Sequence, residues 1–451
     1  MANPLVGFFK KIEPDKKKSP FLHTAYDAFF TFAFTPNTTT APKGVQIRDG
    51  MDLKRLMVQV VIALQVCYLF GTYNIGHQHF VALGLYDGFV EGFHLKLAHG
   101  LIKLLPIFIV THVVGLGIEF YYAARKGHAV EEGFLVSGAL IPLIMPPDLP
   151  LWILAVAVAF AVIIGKEAFG GTGMNVLNIA LLARAFIFFA YPTHISGDEV
   201  WISGITQNAE TGAWISADYS WAHAALNGLF DFFDWKQFPP GNLPVVDGYT
   251  GATPLALAKE GGMGAVNEVY SNAQMFWGAI PGSIGESSKP LIIFGALYLI
   301  FTGIASWRIM LGVVLGAAVM GMLLNLWDAT YFMTVPWYYH FIMGSLLFSL
   351  VFMATDPVSS ANTFTGKWIY GIGVGVIGMI IRVLNPAYPE GWMLSILFMN
   401  VFAPLIDHYV YEGNMGRRKK RAVAMAKART EALAEATNSS PSTTPIEVKT
   451  S

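Results

Sequence analysis

The chain has 451 residues, 54% of them hydrophobic, with 29 basic and 30 acidic side chains, a formal net charge of −1 and a pI near 6.8. Charged residues make up 13%, against about 25% in soluble globular domains, which excludes an ordinary water-soluble globule. A near-neutral chain whose basic residues cluster at its ends offers no field for nucleic acid, and a single cysteine, Cys67, permits neither an internal disulfide, nor a thiolate zinc site, nor a complete iron–sulfur ligand set.

Residues 1–54 carry Lys10, Lys11, Lys16, Lys17 and Lys18 without the apolar stretch of a secretory signal, and read as a retained cytoplasmic segment. Residues 1–60 and 412–451 hold 26 of the charges and leave 33 for the 351 residues between, a composition suited to a bilayer. Apolar runs follow at 55–72, 101–124, 134–146, 150–165, 175–191, 291–306, 309–327, 339–355, 369–384 and 391–407, which makes ten helix candidates. Several are shorter than the ~20 residues of a straight span. Met145-Pro146-Pro147 ends one and Asp356-Pro357 another, so broken helices are expected. The tail, 408–451, holds Arg417-Arg418-Lys419-Lys420-Arg421, suited to anionic headgroups or a partner, and from Asn438 a Ser-, Thr- and Pro-rich end expected to be disordered.

Lys and Arg favour cytoplasmic connections. With both termini inside, ten spans place Arg125, Lys126, Lys166, Arg308 and Lys367 inside, whereas the outside stretches 147–149, 328–338 and 385–390 hold no Lys or Arg. The long segment 192–290, with only Lys236, Lys259 and Lys289, then lies outside.

An internal repeat is visible. Segment 134–191 runs through a short apolar stretch, a Pro stop, Trp152, a Gly-rich helix, a break at Gly170-Gly171-Thr172-Gly173 and a last apolar stretch. Segment 344–407 does likewise, with Asp356-Pro357, Trp368 and a break at Asn385-Pro386-Ala387-Tyr388-Pro389. An offset of five helices inverts the second copy. The expected fold is an all-α polytopic membrane protein of about ten transmembrane helices in two inverted five-helix repeats, 55–191 and 291–407, with broken helices.

Gly170-Gly171-Thr172-Gly173 lacks the strand and the Gly-Lys-Ser/Thr of a phosphate loop. His77, His79, His94 and His99 are expected in one polar loop as surface histidines, and no metal is assigned to them. Charges inside apolar runs are costly unless paired or wetted. Glu119, Asp356 and Asp407, with the bases Arg184 and Arg382, therefore either pair among themselves and sit at helix ends, or line a cation route.

In the outside segment, Asp247-Gly248-Tyr249-Thr250-Gly251-Ala252-Thr253-Pro254 reads as a tight turn: two glycines are free to take positive φ, and Pro254 holds Thr253 extended so that a hydroxyl is presented outward. This Asp-x-x-Thr-Gly-Ala-Thr is similar to the flavinylation motif D-x-x-[S/T]-G-A-T. The likeness extends to Arg48-Asp49 with Asp52-Leu53-Lys54-Arg55, Phe169 to Gly173, Ile195-Ser196-Gly197-Asp198, Ile280 to Glu286, Ala305-Ser306-Trp307-Arg308, Ala354 to Ser359 and Asn385 to Gly391. Over residues 20–416 the chain resembles the B-type subunits of the Na+-translocating NADH:quinone oxidoreductases.

The resemblance implies FMN on Thr253 through a phosphoester, with Asp247, Thr250, Gly251 and Ala252 completing the motif. It implies a non-covalent riboflavin near Asn175 and Asn178, which otherwise cap a broken helix. It further implies electron delivery to ubiquinone, a quinone role for Gly115, Na+ as the cargo, other subunits of a membrane complex as partners, an extracytoplasmic flavin transferase during maturation, and a bacterial inner membrane as location. Where the family has adjacent glycines this chain has Gly115-Leu116-Gly117. Its long stretch from Asp198 to Asp247 carries Trp214, Tyr219, Trp221, Phe232, Phe233 and Trp235, suited to docking on a neighbouring subunit. The rival readings are the D-type subunit of an ion-translocating ferredoxin:NAD+ oxidoreductase, which as a group lacks the N-terminal Phe32-Ala33-Phe34-Thr35-Pro36, and a cofactor-free secondary transporter.

Overall fold

Proline and glycine cut the apolar sequence into its helices. The computed structural model describes residues 11–15, 19–33, 53–126, 133–196, 199–208, 211–217, 220–239, 241–247, 249, 251–385 and 391–439. Thr250, Gly248, Tyr219, Arg48, Asp49, Asp52, Gly197, Asp198, the stretch 386–390 and the chain's last residues lie outside this set.

In chain order the helices are α1 (Pro20–Ala33), α2 (Leu53–Ala82), α3 (Phe93–Lys126), α4 (Phe134–Ile144), α5 (Leu151–Gly165), α6 (Ile179–Ala190), α7 (Ser220–Phe232), α8 (Pro254–Val269), α9 (Asn272–Trp277), α10 (Lys289–Phe301), α11 (Trp307–Trp327), α12 (Leu346–Phe348), α13 (Phe364–Leu384) and α14 (Trp392–Ser439). Among the described residues, six helical stretches are long and apolar enough to cross a membrane: α2, α3, α5 with its following turn, α11, α13 and α14. Shorter apolar helices, α4, α6 and α10, lie between them. The chain is a polytopic membrane protein. The apolar run 339–355 is a broken element, made of a 3-10 turn (Trp337–Phe341), one turn of α12 and a π-helical turn (Ser349–Met353).

The breaks have local causes. Met145 is extended (φ −94°, ψ 153°) ahead of Pro146, which stops α4. After α5, Gly170, Gly171 and Gly173 all take positive φ, a run that residues with a Cβ would resist. In the first half α3 packs on α5 and α5 on α6, with α4 set among α2, α3 and α6. In the second half α11 packs on α13 and α13 on α14, with the π turn set among α10, α11 and α14. The halves meet through α2 with α10 and through α6 with α14. The α11–α13 crossing is close because glycines face each other: a Cβ on Gly312 would lie 3.1 Å from Gly371 Cα, and one on Gly316 2.4 Å from the Ile372 carbonyl oxygen.

The described part of segment 192–290 is folded. It contains a two-stranded antiparallel sheet, β1 (Ile205–Gln207) and β2 (Trp214–Ser216), paired Ile205 to Ser216, and then α7, α8 and α9. Val246 N donates to Ala82 O (3.0 Å), which pins the segment to the end of α2.

The four histidines do not share a surface loop. His77 and His79 lie inside α2, and His94 and His99 inside α3, so the connecting loop is only 83–92. His77, His79 and His99 are buried. His79 and His99 stack at 4.0 Å, and both reach Ser203, His79 Nδ1 at its carbonyl oxygen (2.7 Å) and His99 Nε2 at its hydroxyl (2.9 Å). The reason is helix length: α2 and α3 extend beyond their apolar stretches, and at their polar ends Ser203 meets His79 and His99 while Tyr73 and Phe89 pack on His77.

Candidate functional site

The described residues of the motif turn fold as their sequence suggests, with one difference. Gly251 takes φ +60°, and Thr253 is extended (φ −69°, ψ 152°) ahead of Pro254 at the first position of α8. Thr253 Oγ1 accepts from Ala256 N at 3.3 Å, so the hydroxyl is the N-cap of α8 and is half-buried rather than freely exposed. Gly251 and Ala252 are buried, and Ala252 O accepts from Tyr270 Oη at 2.8 Å, which closes the turn. Asp247 is exposed. Thr253 edges a notch shared with Ile280, Pro281, Glu286 and Lys289. There the buried Lys289 Nζ donates to Glu286 O (2.6 Å) and Gly344 O (3.3 Å). The Glu286 carboxylate borders the same notch, its Oε1 accepting from Ser283 N (3.0 Å), so a lysine and a glutamate both stand near the first-turn N–H groups of α8.

A second site is an apolar cavity of about 240 Å3 between the halves. Met57, Val136, Leu140, Ile304, Val351 and Phe352 form much of its wall, and its polar lining includes Lys166, Thr172, Asn175, Asn178, Thr355 and Asp356. Asn178 caps α6, accepting from Leu181 N at 3.2 Å, and its Nδ2 donates to Asp356 Oδ2 at 3.4 Å. Asn175 Nδ2 donates to Leu177 O at 3.0 Å. Both asparagines thus do the capping and bracing work of a break while lining the cavity.

The intramembrane charges separate into different environments. Glu119 of α3 forms a buried ion pair with Lys166, not with Arg184 or Arg382. Lys126 and Glu167 pair beside it at 3.0 Å. Asp356 accepts from Ser359 Oγ (2.7 Å) and Val358 N (3.1 Å) in addition to Asn178. Asp407 is not part of the cavity lining and clamps the start of α13, accepting from Asn362 N (2.6 Å), Thr363 N (3.0 Å) and Thr363 Oγ1 (2.5 Å). Arg184 lies over Trp201 at 5.7 Å. Arg382 donates to His340 O (3.0 Å) and Met343 O (3.2 Å) and lies over Trp392. Gly115 is filled from outside: a Cβ there would fall 1.8 Å from Phe134 Cζ, whereas one on Gly117 meets nothing within 4 Å among the described residues.

The cavity gathers Asn175, Asn178 and Asp356, with Glu119 tied to it through Lys166, and leaves Asp407 and Thr253 apart. Lys166 escapes sequence reasoning, where it serves only as a topology signal. The adjoining Lys166-Glu167, directly after an uncharged helix and opposite Glu119 and Lys126 of α3, is the available clue.

The two sites have a simple relation. Gly133, Val136 and Leu140 of the α4 segment wall the cavity, and at the other end of α4 Leu143 O accepts from Gly285 N (2.8 Å), within the loop that borders the Thr253 notch. The second broken element repeats this, with Gly344 at the notch and Val351 to Val358 at the cavity.

Residues 40–416 match the NQR2, RnfD, RnfE family. A protein of Chromohalobacter salexigens, named as the B-type subunit of a Na(+)-translocating NADH-quinone reductase, is 40% identical over 433 residues, covering 91% of this chain and 94% of the relative. Proteins of the same name from Pseudomonas aeruginosa (39% over 418 residues, 88% and 93%) and Haemophilus influenzae (37% over 449 residues, 92% and 99%) agree along nearly the whole length. Two sites at opposite ends of a pair of broken helices, on a scaffold shared from residue 40 to 416, thus have a common setting: the chain belongs to the NQR2, RnfD, RnfE family.

Proposed function

We propose that the chain is the B-type membrane subunit of a Na+-translocating NADH:quinone oxidoreductase, a multi-subunit complex of a bacterial inner membrane that passes electrons to ubiquinone while Na+ crosses. The relatives carrying that name support it. On this reading the segments 55–191 and 291–407 are two five-helix repeats of opposite orientation, both termini are cytoplasmic, and 192–290 lies on the far side. The matched packing of the halves, each with a broken helix set against its second and last helices, supports the repeat.

Thr253 Oγ1 would carry FMN as a phosphoester, and the cavity of Asn175 and Asn178 would hold riboflavin. Flavins supply one- and two-electron chemistry, and the chain supplies position and dryness. The residues fit both groups. The first-turn N–H groups of α8 suit a phosphoester, and apolar walls with two amides, beside a Lys166 paired to Glu119 and an Asp356 bonded to Ser359 and Val358, suit a flat heterocycle with a polar edge. The observation that carries the reading is that the α4 segment walls the cavity from Gly133 to Leu140 and, through Leu143 O, holds the Gly285 loop that borders the Thr253 notch, so that the broken elements join one site to the other.

Of the acids expected on an ion route, Asp356 is the one that lines the cavity, Glu119 acts through Lys166, and Asp407 holds the entry to α13. The quinone role implied for Gly115 rests on the resemblance; at that position the missing Cβ leaves room for the Phe134 ring. The test is direct: the denatured protein, made in cells with flavin transferase, should fluoresce under ultraviolet light, and its peptide containing Thr253 should carry the mass of FMN. A dark band with an unmodified peptide overturns the reading.

A further inference from the structure

We propose that a separate cavity of about 350 Å3 beside the motif turn receives the isoalloxazine ring of the flavin tethered to Thr253. This rests on the reading of Thr253 as the attachment point and adds where the ring goes. The cavity is built from α2 and from the motif's own surroundings, and its lining includes His77, Gln78, Asp87, Tyr249, Tyr270 and Gln274. Tyr249 belongs to the turn itself. Tyr270 touches the turn again, because its hydroxyl donates to Ala252 O at 2.8 Å, one residue before Thr253. A ring held by a ribityl phosphate on Thr253 therefore has this cavity next to its anchor.

The lining matches the ring's chemistry. Isoalloxazine presents two apolar faces and an edge of carbonyl, imine and N–H groups. His77 gives the cavity an aromatic wall, itself backed by Tyr73 (5.8 Å, 13° between planes) and Phe89 (5.4 Å). Two polar atoms of the lining, His77 Nδ1 and Tyr249 Oη, are buried with no hydrogen-bond partner among the described residues, and His77 is only 6% exposed. Buried polar groups are nearly always satisfied. Two orphans on one cavity, one of them in the flavinylation turn, point to a polar-edged ligand there.

The test uses the full-length protein co-produced with flavin transferase, with the Thr253→Ala chain as the blank for any other flavin. Mass spectrometry first establishes the adduct. Iodide quenching and the visible spectrum of the tethered flavin then report its surroundings. A protected ring with a structured absorption band is expected. Ala279→Trp, which fills the cavity from its lining, should keep the adduct but raise iodide quenching severalfold and give the spectrum of flavin in water. Tyr249→Phe, which preserves packing, should shift the absorption maximum and leave the ring protected. A labelled Thr253 whose flavin is as open to iodide as in the unfolded chain overturns the proposal. So does a protected flavin indifferent to both substitutions. An unlabelled Thr253 overturns the attachment reading and this proposal with it.

Discussion

Asn178 and Asp356, one from each half of the chain, meet at the cavity: the amide Nδ2 lies 3.4 Å from carboxylate Oδ2 while Oδ1 of the same amide caps α6. One side chain thereby sets both the start of a helix and the hydrogen bonding of the candidate ion-route acid that lines the cavity. The carboxylate already receives Ser359 Oγ and Val358 N, so it is oriented before any cation arrives.

Asp356→Asn keeps the shape and removes the charge. Because a fixed carboxylate offsets part of a cation's dehydration cost, the variant should raise the Na+ concentration for half-maximal quinone reduction in complexes that keep covalent FMN. Asp407→Asn should behave otherwise, lowering the melting temperature through the lost clamp on Asn362 and Thr363 with little change in Na+ dependence. Na+ titrations of both assembled variants decide; an unchanged half-saturation for Asp356→Asn removes it from the route.

The Glu119–Lys166 pair is buried on both sides, with side-chain exposures of 4% and 3%. Glu119→Gln leaves a buried ammonium without its counter-charge, at a cost of about 3–5 kcal/mol, so poor assembly is expected. The double variant Glu119→Gln with Lys166→Met should assemble better than Glu119→Gln alone. Yields and melting temperatures in detergent measure the coupling, and a double variant no better than the single one would show that the pair is not what holds this region.

Thr253 has two roles that substitution separates. Thr253→Ala should lose the adduct and about 1 kcal/mol of helix-cap stability, whereas Thr253→Asn should lose the adduct and keep the cap. Asp247→Ala, at an exposed position, should lower FMN occupancy at limiting transferase without changing the melting temperature. Peptide mass spectrometry and thermal melts read these effects separately. An adduct persisting on either Thr253 variant contradicts the assignment.

The apolar runs, the proline stops, the extended Thr253 and the asparagine caps are legible in sequence because each depends on neighbours within a few positions. The partner of Glu119 is not, since Lys166 is 47 residues away and only the α3–α5 packing brings them together. The burial of His77, His79 and His99 is hidden for a related reason. Polar residues ending an apolar helix look like loop until what covers them is seen: Ser203 for His79 and His99, and the Tyr73 and Phe89 rings for His77.

Gly115 and Gly117 are two residues apart in α3 and face opposite surroundings. A Cβ at 115 would overlap the Phe134 ring at 1.8 Å, whereas at 117 it has open space. Overpacking of this kind costs about 1–3 kcal/mol, and the ring it displaces begins α4, the helix that walls the cavity. Gly115→Ala should therefore lower stability and raise the KM for quinone in membranes, with the covalent flavin intact. Gly117→Ala supplies the control, because a methyl group there meets no atom of the described residues. Equal quinone KM values for wild type and Gly115→Ala would separate this contact from quinone handling and leave it a packing device alone.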